Sequence, residues 1–270
     1  MLLPRLIASD LDGTLLRNDG TLSLRTLRAL RTAESAGAEV VLVTARPPRF
    51  VDRLAEAAGL EGTAVCSNGA LVYDIGTRTV VSSRALPLAT ARRVATALAA
   101  TVPGVGFALE TGNHVLYEPA YRLRLSEDID AELPVPSLAD LWLTDVPVTK
   151  LLAWSDRLDA DALLAAAEEG AGDEVQLTHS GGRGLLEISA SGVTKAGTLS
   201  ILCAGRGIDA TEVIAFGDMP NDLTVLGWAG TGYAMGNAHP SVLAAIRTHT
   251  LSNEEDGVAH VIEGLFGGAA

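Results

Sequence analysis

Ser9-Asp10-Leu11-Asp12-Gly13-Thr14-Leu15-Leu16 is the stretch whose reading decides the fold. Leu3-Pro4-Arg5-Leu6-Ile7-Ala8 runs into it, short and apolar enough for a buried strand. A strand that ends in two carboxylates two residues apart, with glycine next, delivers both acids to one edge of a sheet. In extended chain, residues i and i+2 point the same way, so Asp10 and Asp12 are expected to share one small volume. Two anions that close repel, and one takes up a proton unless a cation or a reaction uses the pair. Alone, the pair reads equally well as a polar strand end with Gly13 making a turn. The residues downstream separate the two readings.

Ser23 to Gly37 carries Leu24, Leu27, Leu30 and Ala33 at helical spacing, with Ser23 as cap and Gly37 as stop. Glu39-Val40-Val41-Leu42-Val43-Thr44 is a valine-rich strand buried on both faces, and it ends in Thr44-Ala45-Arg46-Pro47-Pro48. A helix is expected over 48–58, then a strand over 63–67 ending at Asn68-Gly69. This β-α-β-α-β rhythm predicts a doubly wound, mostly parallel, Rossmann-like sheet. Its strands carry Asp10 and Asp12, Thr44 and Asn68 at their C-terminal tips, where ligands bind in such sheets.

The rhythm then changes. A hairpin is expected over 70–82, and residues 85–186 mix helices (90–100, 160–169) with strands (105–109, 114–118, 148–154, 175–178, 184–188) and proline-spotted connections at Pro119, Pro134 and Pro136. That is an inserted α+β module with an antiparallel sheet, leaving 1–84 and 187–270 as the core. From Val193 the first rhythm returns. Thr194-Lys195-Ala196-Gly197 opens a helix, and lysine in a first turn opposes the helix dipole, so local helix stability does not explain it. The strand over 212–217 ends in Asp218-Met219-Pro220-Asn221-Asp222, with Pro220 placed as a first helical residue. Gly230, Gly232 and Gly236 lack the spacing of a dinucleotide-binding loop. A strand over 232–235, a helix over 240–247, a strand near 248–251 and a helix from Glu254 close the chain.

The 48% hydrophobic and 20% charged composition supplies a globular core. Twenty basic against 33 acidic residues give a net charge of −13, which argues against nucleic acid or an anionic membrane as partner. Small phosphorylated ligands stay open, since they need only a few local cations. Cys66 and Cys203 lie apart in apolar runs and read as buried thiols of a reducing compartment. With neither a signal peptide nor a membrane-length apolar run, a cytoplasmic location is expected. The five histidines show no metal-ligand spacing.

Asp10-x-Asp12-Gly-Thr, Thr44, Lys195 and Gly217-Asp218-x-x-Asn221-Asp222, in that order, resemble the haloacid dehalogenase superfamily, most closely its Cof-type branch (subclass IIB, C2-type cap). The resemblance spans nearly the whole chain, including Asn68-Gly69-Ala70 and Asn253-Glu254-Glu255-Asp256-Gly257-Val258. It implies a Mg²⁺-dependent phosphatase of a small phosphorylated metabolite, similar to a sugar phosphate, with 85–186 as the cap that sets substrate specificity. Ala45 departs from the glycine many relatives carry there; alanine serves if its φ is negative. Met219-Pro220 is a second departure, at variable positions.

Phosphate-monoester hydrolysis needs charge neutralisation, an in-line nucleophile and a proton for the departing oxygen. The resemblance and this chemistry together assign Asp10 as nucleophile and Asp12 as acid, then base. Mg²⁺ prefers oxygen ligands and is assigned to Asp10, Asp218 and Asp12, the last through its carbonyl. Thr44, Ala45 N–H, Arg46 and Lys195 are assigned to the phosphoryl oxygens. Asn221 is assigned to phosphate or a metal-bound water, and Asp222 to orienting Lys195 or the metal's surroundings. Thr111-Gly112-Asn113-His114 and His179-Ser180-Gly181-Gly182-Arg183 are candidate leaving-group contacts. Three readings compete: a phosphotransferase or mutase of the same fold, a phospho-aspartate receiver, which at roughly half this length fits poorly, and a binding protein with a disused site. Monomer and homodimer are both open.

Overall fold

The structure is a computed structural model that describes residues 3–123, 130–181 and 184–267. Two compact units share the chain: residues 1–46, 50–81 and 194–270 in one, 47–49 and 82–193 in the other. The first leg of the first unit is β1 (Leu6–Ser9), α1 (Leu24–Ser35), β2 (Glu39–Val43), α2 (Pro48–Ala58), β3 (Thr63–Cys66), β4 (Leu71–Asp74) and β5 (Thr79–Ser83). Ser23 caps α1 by accepting the Thr26 N–H at 3.0 Å. The buried stripe of α1 is Thr26, Ala29, Leu30 and Ala33, whereas Leu24 is 70% exposed. The expected stripe was therefore rotated at its start: a residue in the first turn of a helix can lie beyond the edge of the sheet it packs on. The chain also leaves the extended state sooner than expected. β1 ends at Ser9, Asp10 keeps extended angles, and 11–15 coil into a tight turn with Gly13 at φ 72°.

The second unit contains α3 (Leu88–Thr101), β6 (Gly106–Glu110), β7 (Val115–Tyr117), β8 (Glu132–Pro134), α4 (Leu138–Leu141), β9 (Lys150–Trp154), α5 (Ala160–Ala171), β10 (Val175–Thr178) and β11 (Leu185–Ala190). Its six strands run in the order β10-β11-β9-β6-β7-β8, antiparallel except for the parallel β7–β8 pair. Alternation divides the sheet's faces. Phe107, Leu109, Leu151, Ala153, Leu186 and Ile188 pack with Val94 and Leu98 of α3 and Leu163 and Ala167 of α5. The opposite face carries Ala108 and Leu152 together with a buried Lys150–Glu187 ion pair. Two elements here were read as connections, β8 and α4. Proline closes β8 on the outermost strand of the sheet, where a missing N–H is tolerated. The units meet along the chain at 81/82 and 193/194, where 84/85 and 186/187 were read from sequence; the second boundary lies later because β11 continues to Ala190. Gly182 and Arg183 of the second candidate loop lie outside the described residues.

The return leg is α6 (Lys195–Gly205), β12 (Val213–Gly217), α7 (Leu223–Trp228), β13 (Thr231–Ala234), α8 (Pro240–Ala245), β14 (Thr248–His249) and α9 (Gly257–Phe266). The eight-stranded sheet runs β14-β13-β12-β1-β2-β3-β4-β5, parallel from β14 through β3, with β4 antiparallel to β3. β1 and β12 are thus central neighbours from which the two legs wind in opposite directions. Leu6, Ile7, Val213 and Phe216 on these strands are fully or almost fully buried. Truncating a core leucine such as Leu6 to alanine costs about 2–5 kcal/mol.

Candidate active site

Strand register brings the acids together. Ser9 of β1 lies opposite Phe216 of β12 and Leu42 of β2. The residues just beyond, Asp10, Asp218 and Thr44, therefore leave the sheet at adjacent C-terminal tips, across the point where the strand order reverses. Asp10 N–H donates to the Phe216 carbonyl at 3.1 Å and fixes that level. Gly13 is required twice over. Its φ of 72° suits glycine, and a Cβ would come within 2.3 Å of Asp218 Oδ2. That close approach lets the Thr14 hydroxyl donate to Asp218 Oδ1 at 2.8 Å.

Lys195, 1% exposed, donates through Nζ to Asp10 Oδ1 and to Asp222 Oδ1, both at 2.6 Å. Thr194 caps its helix by accepting the Gly197 N–H at 2.9 Å, so the lysine is aimed by the first turn of α6. Asp222 is fully buried, and its Oδ2 accepts the N–H groups of Asp218 and Met219 at 3.0 Å each. Both Asp222 oxygens are thereby used in orienting Lys195 and the Asp218 backbone. Asp12 is more exposed, and Arg46 grips it bidentately, Nε to Oδ2 at 2.5 Å and Nη2 to Oδ1 at 2.6 Å. Phe50 lies 4.6 Å beneath the same guanidinium.

Four carboxylates thus face two cations. Burial first, and then the neighbouring carboxylates, push the Asp10 carboxyl well above its usual range, while Lys195 pulls it back. Burial and Asp222 push Asp218 up to about 7 against the Thr14 hydrogen bond. Burial pulls Lys195 down, but Asp10 and Asp222 outweigh it, so the ammonium stays charged. The directions have one origin, an excess of negative charge in a low-dielectric pocket.

That excess is the test of whether a cation fits. Carboxylate oxygens of Asp10, Asp218 and Asp222 lie within 4.8 Å of one another. Asp222 has both oxygens occupied, whereas Asp10 Oδ2 and Asp218 Oδ2 accept no hydrogen bond from the described residues. Two open oxygens at neighbouring strand tips, in a site two charges too negative, suit a hard divalent ion.

Thr44 and Arg46 share a tight loop. The Arg46 N–H donates to Thr44 Oγ1 at 3.0 Å, which leaves the hydroxyl proton for another acceptor. Among the described residues, the non-glycine ones with positive φ are Ser67, Asn68, Arg78 and Asp256, so Ala45 meets the condition set for it. Asn221 Nδ2 donates to Asn68 Oδ1 at 3.0 Å, and its own Oδ1 is buried without a hydrogen-bond partner among the described residues. Asn221 in this pairing presents an acceptor, which suits a water proton better than a phosphoryl oxygen.

Sequence reasoning assigned no site role to Asn68, Ser67 or Thr14. Ser67 N–H donates to the Arg46 carbonyl and Asn68 N–H to the Thr44 carbonyl, both at 3.0 Å, so this turn fixes the neighbouring loop from behind. Ser67, Asn68 and Gly69 all have positive φ, and Gly69 passes so close to Thr194 that a Cβ would sit 2.3 Å from its carbonyl oxygen. The available signal was the one that marked the first tip at Asp12-Gly13, a polar residue just before glycine at a strand end.

A family model described as haloacid dehalogenase-like hydrolase matches residues 7–262. The 5-amino-6-(5-phospho-D-ribitylamino)uracil phosphatase YwtE of Bacillus subtilis (strain 168) is 28% identical, over 97% of this chain and 98% of its own. Pyridoxal phosphate phosphatase YbhA of Escherichia coli (strain K12) is 29% identical, over 96% and 97% respectively. A solved haloacid dehalogenase-like hydrolase from B. subtilis superposes with a TM-score of 0.83 at 26% identity, covering 97% of this chain and 99% of that one. With the family matched across almost its whole length and the acidic motifs at adjoining strand tips, the chain belongs to the haloacid dehalogenase-like hydrolases, in their Cof-type branch, and is a phosphoric monoester hydrolase.

Proposed function

We propose that the chain is a Mg²⁺-dependent phosphatase of a small phosphorylated metabolite, sugar-phosphate-like in kind, working through an aspartyl-phosphate on Asp10. The observation that supports this most is the state of Asp10: buried, pinned through Oδ1 by Lys195, and open at Oδ2. A carboxylate fixed through one oxygen by a buried cation holds its orientation for in-line attack. Asp10 and Asp218, with the Asp12 carbonyl, hold Mg²⁺, which when bound offsets the charge of the phosphoryl group and of the carboxylates. Thr44, through its remaining proton, the Ala45 N–H and Lys195 bind phosphoryl oxygens, with Asn221 and Asp222 holding the surroundings in place.

Asp12 and Arg46 divide their work by competition. In the resting site both Asp12 oxygens are occupied by the guanidinium. An arriving phosphoryl dianion draws Arg46 onto itself; Asp12, so freed, takes up a proton from solvent, passes it to the leaving oxygen and regains one from the water that attacks the aspartyl-phosphate. The inserted unit, residues 82–193, supplies selectivity for the leaving group, and the Thr111–His114 turn is the first segment to vary. The two relatives are named for different phosphorylated compounds, so both substrates belong in the test.

The experiment is a phosphate-release assay over sugar phosphates, pyridoxal phosphate and 5-amino-6-(5-phospho-D-ribitylamino)uracil, with Mg²⁺ and with chelator. Release is expected only with Mg²⁺, and Asp10→Asn lowers it by about 10⁴-fold or more without changing the circular-dichroism spectrum. An active Asp10→Asn enzyme overturns the nucleophile assignment. A phosphorylated product without free phosphate replaces hydrolysis by transfer.

A further inference from the structure

The turn over 11–15 satisfies the N–H groups of Leu15 and Leu16 on the Asp10 and Leu11 carbonyls, and leaves the carbonyls of Gly13 and Leu16 to partners outside it. Gly13 through Asn18 leave the turn at the strand tip, and buried carbonyls there need donors. Those donors come from the far end of the chain. Asn237 Nδ2 donates to the Gly13 carbonyl at 2.8 Å, and Asn237 Oδ1 accepts the Asn253 N–H at 2.9 Å. Asn253, 4% exposed, spends both amide protons on the same loop: Nδ2 donates to the Leu16 carbonyl at 2.9 Å and to Asn18 Oδ1 at 3.0 Å. Glu254 Oε1 accepts the Asn18 N–H at 2.7 Å, and Arg17 Nη2 reaches both oxygens of Asp256 at 3.1 Å.

The donor segment is itself held in an unusual conformation. Asp256 is left-handed, at φ 56° and ψ 46°, and starts α9. Gly257 follows where a Cβ would lie 2.1 Å from the Leu251 carbonyl oxygen, and its N–H donates to the Ser252 carbonyl at 3.0 Å. Such a turn persists only where its surroundings over-determine it, and here they do.

We propose that Asn237, Asn253 and Asp256 form a positioning clamp on the catalytic loop, fixing the distance between Asp12 and Asp218 through the Gly13 peptide. The proposal rests on Asp10 and Asp12 being the reacting acids. Gly13 is the point of transmission: Asn237 holds its carbonyl, while its Cα passes against Asp218. A loop that drifts there separates Thr14 from Asp218 and turns the Asp12 backbone. The asparagines are chosen for their donors. An aspartate at 253 has the same shape but sets an acceptor against the Leu16 carbonyl and Asn18 Oδ1.

Asn237 is exposed, so Asn237→Ala tests the clamp with little risk to folding. Amide hydrogen exchange of the peptide covering 11–18 is expected to speed up about 10-fold in Asn237→Ala and further in Asn253→Asp, with exchange elsewhere unchanged. The same variants lower kcat about 10-fold and leave KM within about twofold, as a misplaced catalytic group does. Asn253→Gln restores part of the protection, since it keeps the donors. Unchanged exchange of 11–18 in Asn237→Ala overturns the clamp whether or not a substrate has been found. Faster exchange with unaltered kcat overturns its catalytic role, whereas an active Asp10→Asn variant overturns only the nucleophile assignment on which it rests.

Discussion

Each unit buries a lysine among carboxylates, and the two settings differ in a way that separates chemistry from architecture. In the second unit, Lys150 meets Glu187, while Arg49, which clusters with this unit, meets Glu110. Glu118, the remaining buried acid there among the described residues, accepts the N–H groups of Phe107 and Ala120. In the first unit, Lys195 and Arg46 serve four aspartates, and two carboxylate oxygens are left open. Each of those carboxylates is met by a cation or by backbone N–H groups, though such buried pairs add little net stability. A buried cluster with open carboxylate oxygens needs a ligand of the opposite sign. It is the open oxygens, not the burial, that mark a site.

The strongest way to break this comparison is to remove each lysine. Lys195→Met and Lys150→Met are each expected to lose about 3–5 kcal/mol in urea unfolding, because a buried carboxylate is left without its cation. They part in what rescues them. Added Mg²⁺ recovers stability in Lys195→Met and does nothing for Lys150→Met, whereas a second change, Glu187→Leu, recovers most of the loss in Lys150→Met. Equal response of both variants to Mg²⁺ removes the distinction.

A smaller effect sharpens it through pH. Asp218 stands at about 7 in the folded chain, pushed there first by burial and then by Asp222, against about 3.9 unfolded. The folded state holds the extra proton between those values, so the chelated protein loses stability as pH rises from about 4 to about 7. A divalent ion replaces that proton. The Mg²⁺-induced rise in Tm is therefore expected to be larger at pH 7.5 than at pH 5.5, and a rise independent of pH contradicts the charge account.

The smallest effect compares two helix caps. Ser23→Ala and Thr194→Ala each cost about 1 kcal/mol. Only Thr194→Ala lowers kcat as well, since its helix begins with Lys195. Equal kcat in both variants separates capping of α6 from the aim of the lysine.

Most of the strand-tip positions could be read from sequence, because their signals are local: an apolar run, then a polar tip. Asp10, Thr44 and Asp218 were singled out by that pattern, and Lys195, Asn221 and Asp222 by the helix starts and the resemblance. The pairing of Arg46 with Asp12 was not, since it joins residues 34 apart and depends on the turn at 11–15 replacing an extended strand. Asn68 was seen as a tip but not as the partner of Asn221, 153 residues on, because nothing local encodes that meeting. β8 was hidden by its proline and by its shortness. Leu24 opens the apolar spacing of α1 yet is exposed, because periodicity gives the stripe of a helix but not where the packing surface stops.

Anomalous diffraction from crystals soaked in Mn²⁺ shows whether surplus charge at Asp10 and Asp218 holds a divalent ion. A single anomalous peak within coordination distance of Asp10 Oδ2 and Asp218 Oδ2, absent in Asp218→Asn crystals, is the predicted result. A peak that touches neither carboxylate, or none at saturating Mn²⁺, contradicts it.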